Sequence, residues 1–334
     1  MTRSRVTIRD VAAQAGVSHQ TVSRVINGRE FVTPETTARV HQAIADLSYR
    51  PNAIARSMAR GRTGLLGCIA PNLTDYTFAS IIDGADAEMR RQGYFLLSAA
   101  AANADIFAAL IDQLVNGRRI EGLIVINPYA DERHTHLPAD FPIVFAGSRP
   151  RQEIAYSVAL DDVTAAREAT QHLLDLGHRR LGHITGPLAE DCAQDRRDGF
   201  HQALQAAGIT PDPALEVEGD WSAQSGYRGL TQLVERGPLP TAVFAQNDQM
   251  AAGVLRQARD LGLELPGQLS VIGVDDIPMS AYFSPPLTTM RQDFQAIGQE
   301  AARLLLGAIE KSDTAQQQLL IKATPIWRRS TAPA

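Results

Sequence analysis

The sequence predicts an α/β protein: a small all-α helix-turn-helix head and a hinge helix, on a two-lobed, doubly wound α/β body. Three observations carry that reading. Residues 7–47 hold three short amphipathic helical patterns, the first two separated by only about three residues. From Gly64 onward, continuous apolar runs alternate with amphipathic stretches, as buried parallel strands and their crossover helices do. The charge is unevenly divided. Residues 1–62 carry ten arginines against four acidic residues, a net +6, while the rest carries 22 basic and 33 acidic residues, a net −11. With 334 residues there is room for two or more domains. The expected division is a head with its hinge helix over 1–61 and a body over 62–334.

In the head, Thr7-Ile8-Arg9-Asp10 fits a capping box, in which hydroxyl and carboxylate satisfy the first free backbone N–H groups of a helix. Ile8, Val11, Ala12 and Ala15 follow at helical spacing. Gly16 stops that helix, and Ser18 is placed to cap a second over 18–26 with Val22, Val25 and Ile26 inward. Thr33-Pro34-Glu35 opens a third helix, with Val40, Ala43, Ile44 and Leu47 facing the core. Two helices joined so tightly must cross steeply. The second then presents His19, Gln20, Ser23, Arg24 and Asn27 away from its apolar side. Gln and Arg can make two-pronged hydrogen bonds to adenine and guanine edges, and His can donate to guanine. Thr7, Ser18 and Thr21 suit phosphate oxygens. A merely solvated helix pair would show similar residues; the +6 charge is what favours a polyanion.

Pro51 ends the third helix, and Asn52 can cap a short helix over 53–59 that carries Met58. A helix of that length is marginal in water. It needs a partner, either DNA or its twin from a second subunit, and Met58 suits an apolar wedge in a minor groove. A plain interdomain linker is the alternative.

In the body, strands are expected at 65–70, 94–99, 123–126, 143–146, 181–185, 242–245 and 271–274. Helices are expected near 78–92, 105–117, 163–176, 193–207, 223–236, 248–262 and 294–310. The length suggests two lobes divided near 155–165. Ligands in open α/β sheets bind beyond the carboxyl ends of the strands. Polar residues gather there: Asn72 and Asp75, Ser148, Arg196, Asn247 and Asp248, Asp275 and Asp276, with Trp221 and Phe294 nearby. Arg and Asp can bind vicinal hydroxyls while an aromatic covers an apolar sugar face, so such a cleft suits a neutral, hydroxyl-rich ligand. Each residue also has a plain structural use, as a helix cap or a core ring.

Several classes are disfavoured. No apolar run is long enough to span a bilayer, and residues 1–5 do not lead into a secretory signal. Cys68 and Cys192 are far apart, a pattern of reduced, cytoplasmic proteins. No Gly-x-Gly-x-x-Gly or phosphate-loop pattern calls for a nucleotide cofactor, and no nucleophile elbow is present. His134, His136, His172, His178 and His183 are read as surface or loop residues without zinc-site companions. Asp275-Asp276 is read as an extended pair pointing to opposite faces.

The stretches "TIRDVAAQAGVSHQTVSRVING" and "YRPNAIARSMARG" resemble the head and hinge of the lactose-repressor family of bacterial transcription regulators. The body continues the resemblance through "GHRRLGHITGP", "EGDWSAQSGY", "PTAVFAQNDQMAAGVL", "SVIGVDD" and "PPLTTMRQDFQAIGQ". The resemblance implies a repressor that binds a palindromic operator as a homodimer, on a body like that of periplasmic binding proteins. It is released by a small-molecule effector, a sugar by the present reading, in the interlobe cleft. The implied DNA contacts are Thr7, Ser18, His19, Gln20, Thr21, Ser23, Arg24, Asn27, Asn52, Ala55 and Met58. The implied effector contacts are Asp75, Phe78, Arg196, Trp221, Asn247, Asp275, Gln292 and Phe294. Gly147 stands where a sugar-contacting Asp is usual, Asp75 stands where an apolar residue is usual, and Met58 replaces the usual Leu wedge. A purine or other co-repressor that tightens operator binding is the alternative within the family. A periplasmic solute receptor has no use for residues 7–27, and a sugar-converting enzyme lacks its acid/base or metal constellation.

Overall fold

The computed structural model describes residues 6–26, 32–49, 62–127, 129, 131–147, 149, 156–310 and 317–334. The chain divides into two compact units, Met1–Gly64 and Leu65–Ala334.

In the first unit, helix α1 (Ile8–Ala15) starts at Thr7, whose backbone N–H and hydroxyl donate to Asp10 Oδ2 at 2.7 and 2.8 Å. Gly16 ends it at φ 65°, a left-handed conformation that only glycine adopts cheaply. Ser18 Oγ accepts the Thr21 N–H at 3.1 Å and opens α2 (His19–Ile26). Thr33 accepts the Thr36 N–H at 3.3 Å, with Pro34 at the first position of α3 (Pro34–Asp46). Val11, Ala12, Ala15, Val22, Val40 and Ala43 form the buried core, and Val25, Ile26, Ile44 and Leu47 pack against it. The expected hinge helix over 53–59 lies outside the described residues.

The second unit runs β1 (Leu65–Ala70), α4 (Tyr76–Arg91), β2 (Phe95–Ala100), α5 (Ala104–Ile111), β3 (Leu123–Ile126), β4 (Ile143–Ala146) and β5 (Tyr156–Leu160). It continues with α6 (Asp162–Asp175), β6 (Leu181–Thr185), α7 (Asp191–Ala206), β7 (Glu216–Glu218), α8 (Ala223–Glu235), β8 (Ala242–Ala245), α9 (Asp248–Asp260) and β9 (Ser270–Asp275). β10 (Thr288–Arg291), α10 (Phe294–Glu310), β11 (Gln317–Ile321) and β12 (Thr324–Ile326) complete it. These strands make two six-stranded sheets, ordered β11-β5-β4-β3-β1-β2 and β12-β10-β9-β8-β6-β7. The first is wholly parallel; in the second only β12 runs antiparallel, against β10. Helices α4 and α10 bury Ile81, Ala85, Ile297 and Ala301 against the first sheet, and α8 and α9 bury Leu230, Leu233, Val254 and Ala258 against the second.

All seven expected strands are present, and β5, β7, β10, β11 and β12 are additional. The single division near 155–165 is corrected. The chain crosses between β5 and α6 as expected, but it crosses again between β10 and α10 and between β11 and β12. The helix expected over 105–117 is α-helical to Ile111 and finishes as one π-helical turn, Asp112–Asn116.

Candidate functional site

Helix α2 turns Val22 inward and leaves His19, Gln20 and Arg24 exposed, with Ser18 and Thr7 exposed at the helix starts. Thr21 and Ser23 are half-buried on the same helix, and Thr21 Oγ1 lies 2.9 Å from Ser18 Oγ. The side chains able to read base edges thus share one eight-residue helix whose opposite side packs on α1 and α3. Asn27, Asn52, Ala55 and Met58 lie outside the described residues.

In the body, a cavity of about 370 Å³ opens between the lobes at the carboxyl ends of the strands, within the size range of small-molecule sites. All eight expected effector residues line it: Asp75, Phe78, Arg196, Trp221, Asn247, Asp275, Gln292 and Phe294. All but Arg196, which lies in the second turn of α7, stand where a strand ends or a helix begins. Asp75 caps α4, accepting the Thr77 N–H at 2.8 Å, and Phe78 follows on that helix. Asn247 caps α9 through Met250 N–H at 2.8 Å and donates its side-chain N–H to the Trp221 carbonyl at 3.0 Å. Phe294 meets Tyr76 edge to face at 6.2 Å.

Arg196, buried on α7, donates from Nε to Asp162 Oδ1 at 2.6 Å and from Nη1 to the Gln246 carbonyl, and it lies 5.6 Å over the Trp221 ring. Burial pushes the Asp162 carboxyl up, with Arg196 opposing. Asp275 is raised well above the usual carboxylate range, first by burial and then by Asp248, Asp75 and Asp162, again with Arg196 opposing. Its Oδ1 accepts from Gln292 Nε2 at 3.0 Å. Asp162 and Glu190 also line the cavity and were not expected. Glu190 joins the lobes, accepting Trp221 Nε1–H at 3.2 Å and Asn127 Nδ2–H at 2.9 Å.

Backbone strain gathers here. Asn127 (φ 51°), Trp221 (φ 68°), Asp275 (φ 121°) and Asp276 (φ 56°) all hold positive φ, a conformation that costs non-glycine residues free energy and clusters at functional sites. The extended reading of Asp275-Asp276 is therefore corrected. Asp275 faces the cavity, while Asp276 binds Arg291 and Arg328 at 2.6 and 2.7 Å. The reading of three histidines as surface or loop residues is corrected too, while His134 and His136 do lie in a short surface turn. His183 is fully buried within β6, His178 is buried between Thr241 and the Ala332 carbonyl, and half-buried His172 stacks on Trp327. His183 also has companions, His201 and Glu216, at metal-ligand spacing.

Residues 7–52 match the profile of the bacterial regulatory proteins of the lacI family, and residues 170–331 match a periplasmic binding protein-like domain. The chain is 35% identical over 325 residues to the HTH-type transcriptional repressor PurR of Haemophilus influenzae, covering 96% of each chain. It is 33% identical to catabolite control protein A of Priestia megaterium, covering 98% of this chain and 99% of that one. Among solved structures it is similar to a lac repressor dimer bound to operator and the anti-inducer ONPF (TM-score 0.89, 30% identity, 98% and 100% covered). It is also similar to a transcriptional regulator CelR–cellobiose complex (TM-score 0.76, 31% identity, 98% and 100% covered).

Proposed function

The chain belongs to the LacI family of bacterial regulatory proteins, DNA-binding transcriptional repressors and not enzymes, and from that premise we propose that its operator affinity is set by a sugar bound between the lobes. The cavity carries this reading. Arg196 and Asp275 offer donor and acceptor to vicinal hydroxyls, and the Trp221 indole gives an apolar ring face a surface to lie on. The similar CelR structure holds cellobiose. Asp75, Phe78, Asn247, Gln292 and Phe294 complete the contacts. The second reading, a purine or other co-repressor that tightens operator binding, draws on the similarity to repressors named PurR. Unfolding temperatures measured across mono- and disaccharides and purine bases separate the two, with operator affinity then measured with and without the stabilising compound. Coupling between such sites is typically ~1–3 kcal/mol and reciprocal, so a compound that stabilises the fold but leaves operator affinity unchanged overturns the effector role.

On the DNA side, His19, Gln20 and Arg24 read base edges from α2, Thr7, Ser18, Thr21 and Ser23 hold phosphates, and Asn27, Asn52, Ala55 and Met58 extend the contact. Residues 1–61 act as head and hinge and residues 62–334 as the sensing body. The protein works as a homodimer in the cytoplasm, on a palindromic operator with half-sites about one helical turn apart. Strand β2 supports the dimer: it is a sheet edge exposing Phe95 (68%) and Leu97 (40%), which an isolated subunit would leave open to aggregation. No helix among the described residues is long and apolar enough to cross a membrane.

A further inference from the structure

Gln246, just past β8, is fully buried, and its side-chain amide has one orientation. Its Oε1 accepts the Gly186 N–H at 2.9 Å, and its Nε2 donates to the Ala193 carbonyl at 3.1 Å. With both ends so assigned, the second amide N–H points at His183 Nε2, 3.1 Å away. That ring nitrogen must carry the lone pair. The proton therefore sits on Nδ1, which donates to Glu216 Oε2 at 3.1 Å. The imidazole, 0% exposed, packs on Phe200 at 4.2 Å and on Phe244 at 5.3 Å. Glu216 also meets His201 Nε2 at 3.1 Å and Arg197 at 2.7 Å.

His183, His201 and Glu216 place their ligand atoms within 4.8 Å of one another, a spacing that would hold a metal ion. The chemistry of the neighbours opposes it. A metal on His183 Nδ1 would need Nε2–H to find an acceptor, and Gln246 offers it a donor. Arg197 already places a cation on Glu216. The group is a hydrogen-bonded relay, and it leads to the cleft. The Gln246 backbone carbonyl receives Arg196, and Gly186 is the floor under Trp221, so close that a Cβ there would lie 2.1 Å from the indole.

We propose that His183 is a positioning residue for the cleft: by accepting from Gln246 and donating to Glu216, it fixes the amide that places Gly186 beneath Trp221 and the carbonyl that anchors Arg196. The inference rests on reading Arg196 and Trp221 as effector contacts. It also makes the cleft sensitive to protons. Around His183 stand Glu216 from β7, Arg197, His201 and Phe200 from α7, and Gln246 and Phe244 from β8. Burial pushes His183 below the usual histidine range, with Glu216 opposing, so the ring is neutral at neutral pH. A proton on Nε2 would set two donors face to face. Relief requires the Gln246 amide to turn over, which sets its NH₂ against the Gly186 N–H and disturbs the floor of Trp221.

The test uses the full-length protein without effector. The chain has two tryptophans, so Trp327→Phe leaves Trp221 as the single tryptophan, excited selectively over tyrosine at long wavelength. Acrylamide quenching of Trp221 in that background should rise about twofold as pH falls from about 7 to about 4, a window that reaches below the usual histidine range because burial lowers His183, while far-UV circular dichroism stays constant. His183→Phe, which keeps a flat ring but cannot accept, should show about that raised quenching at every pH in the same range. A folded His183→Phe variant that quenches like its parent, or a flat titration of the parent, overturns the proposal. If His183→Phe does not fold, Glu216→Gln decides: it removes the partner that opposes the lowering of His183, so the quenching midpoint should move to lower pH, and an unmoved midpoint overturns the proposal. Because no effector is present, failure here leaves the effector reading standing, and a fruitless effector screen leaves this result standing.

Discussion

The indole of Trp221 presses so closely on the α-carbon of Gly186 that a methyl group there would sit 2.1 Å from Cη2. Gly186→Ala must therefore push the ring out of its place on the cavity wall. The expected outcome is a destabilisation of about 1–3 kcal/mol from overpacking, seen in thermal unfolding. Affinity for whichever compound the unfolding screen identifies should fall about tenfold or more, with operator binding by the ligand-free protein intact. Parent-like affinity in this variant would remove Trp221 from the binding wall.

Arg196 and Asp162 form a buried ion pair whose two halves are not equivalent. Asp162 can take up a proton, being already pushed up by burial, whereas a guanidinium cannot shed its charge. Asp162→Ala should cost about 3–5 kcal/mol in urea unfolding because it strands a buried cation. Arg196→Met should cost clearly less, abolishing the effector response while operator binding persists. Equal losses in the two variants would argue that the pair is structural alone.

Burial alone would raise the Glu216 carboxyl, but the hydrogen bonds from His183 and Arg197 outweigh it and hold the group down at about 2. A carboxyl lowered in the folded state stabilises above its unfolded pKa and loses that contribution as pH falls from about 4.5 toward about 2. Glu216→Gln should therefore be less stable than the parent at about pH 7 and nearly equal to it at about pH 2. Urea midpoints at the two pH values check this; a difference that stays constant with pH refutes it.

Arg24 stands exposed on the last turn of α2, on the side away from the head core. Arg24→Ala should lower preference at a single base pair of each half-site by about tenfold or more, while binding to unrelated duplexes changes far less. Competition binding with operator variants measures it. Unchanged discrimination would mean that α2 is docked differently.

Phe95 and Leu97 lie on the open edge of the first sheet. Phe95→Lys should weaken self-association, shifting sedimentation toward the single chain and reducing operator affinity together. A variant that remains fully dimeric would move the interface elsewhere.

The head was legible because its signals are local. Thr7 with Asp10, Ser18 with Thr21, and Thr33 with Pro34 each settle a helix end within four residues. Strands β1, β3 and β8 were legible because they are buried on both faces and read as unbroken apolar runs. β10 was not. It opens with Thr288 and Thr289, polar residues whose hydroxyls are made fit for the interior by the Arg328 N–H and by Asp248, which are distant in sequence. β7 and β12 span three residues each, too few to show a period. Six of the eight expected cleft residues follow from the rule that ligands bind past strand ends, whereas Phe78 and Gln292 were expected only from the family resemblance. Asp162 and Glu190 were missed because their roles exist only through partners 34 and 63 residues away, Arg196 and Asn127. His183 did leave a trace, a histidine inside the apolar run Leu181–Thr185, which marks a buried polar group needing partners.

The threefold crossing between the lobes has a consequence for synthesis. The first lobe lacks α10 and β11 until residue 321 has been made, and the second lacks β12 until a few residues later. The three described helices of the head end at Asp46, so at the usual pace of translation the nascent chain carries them for on the order of tens of seconds before either lobe can close. A ribosome that stops anywhere in between releases a product able to fold its head but deaf to any effector.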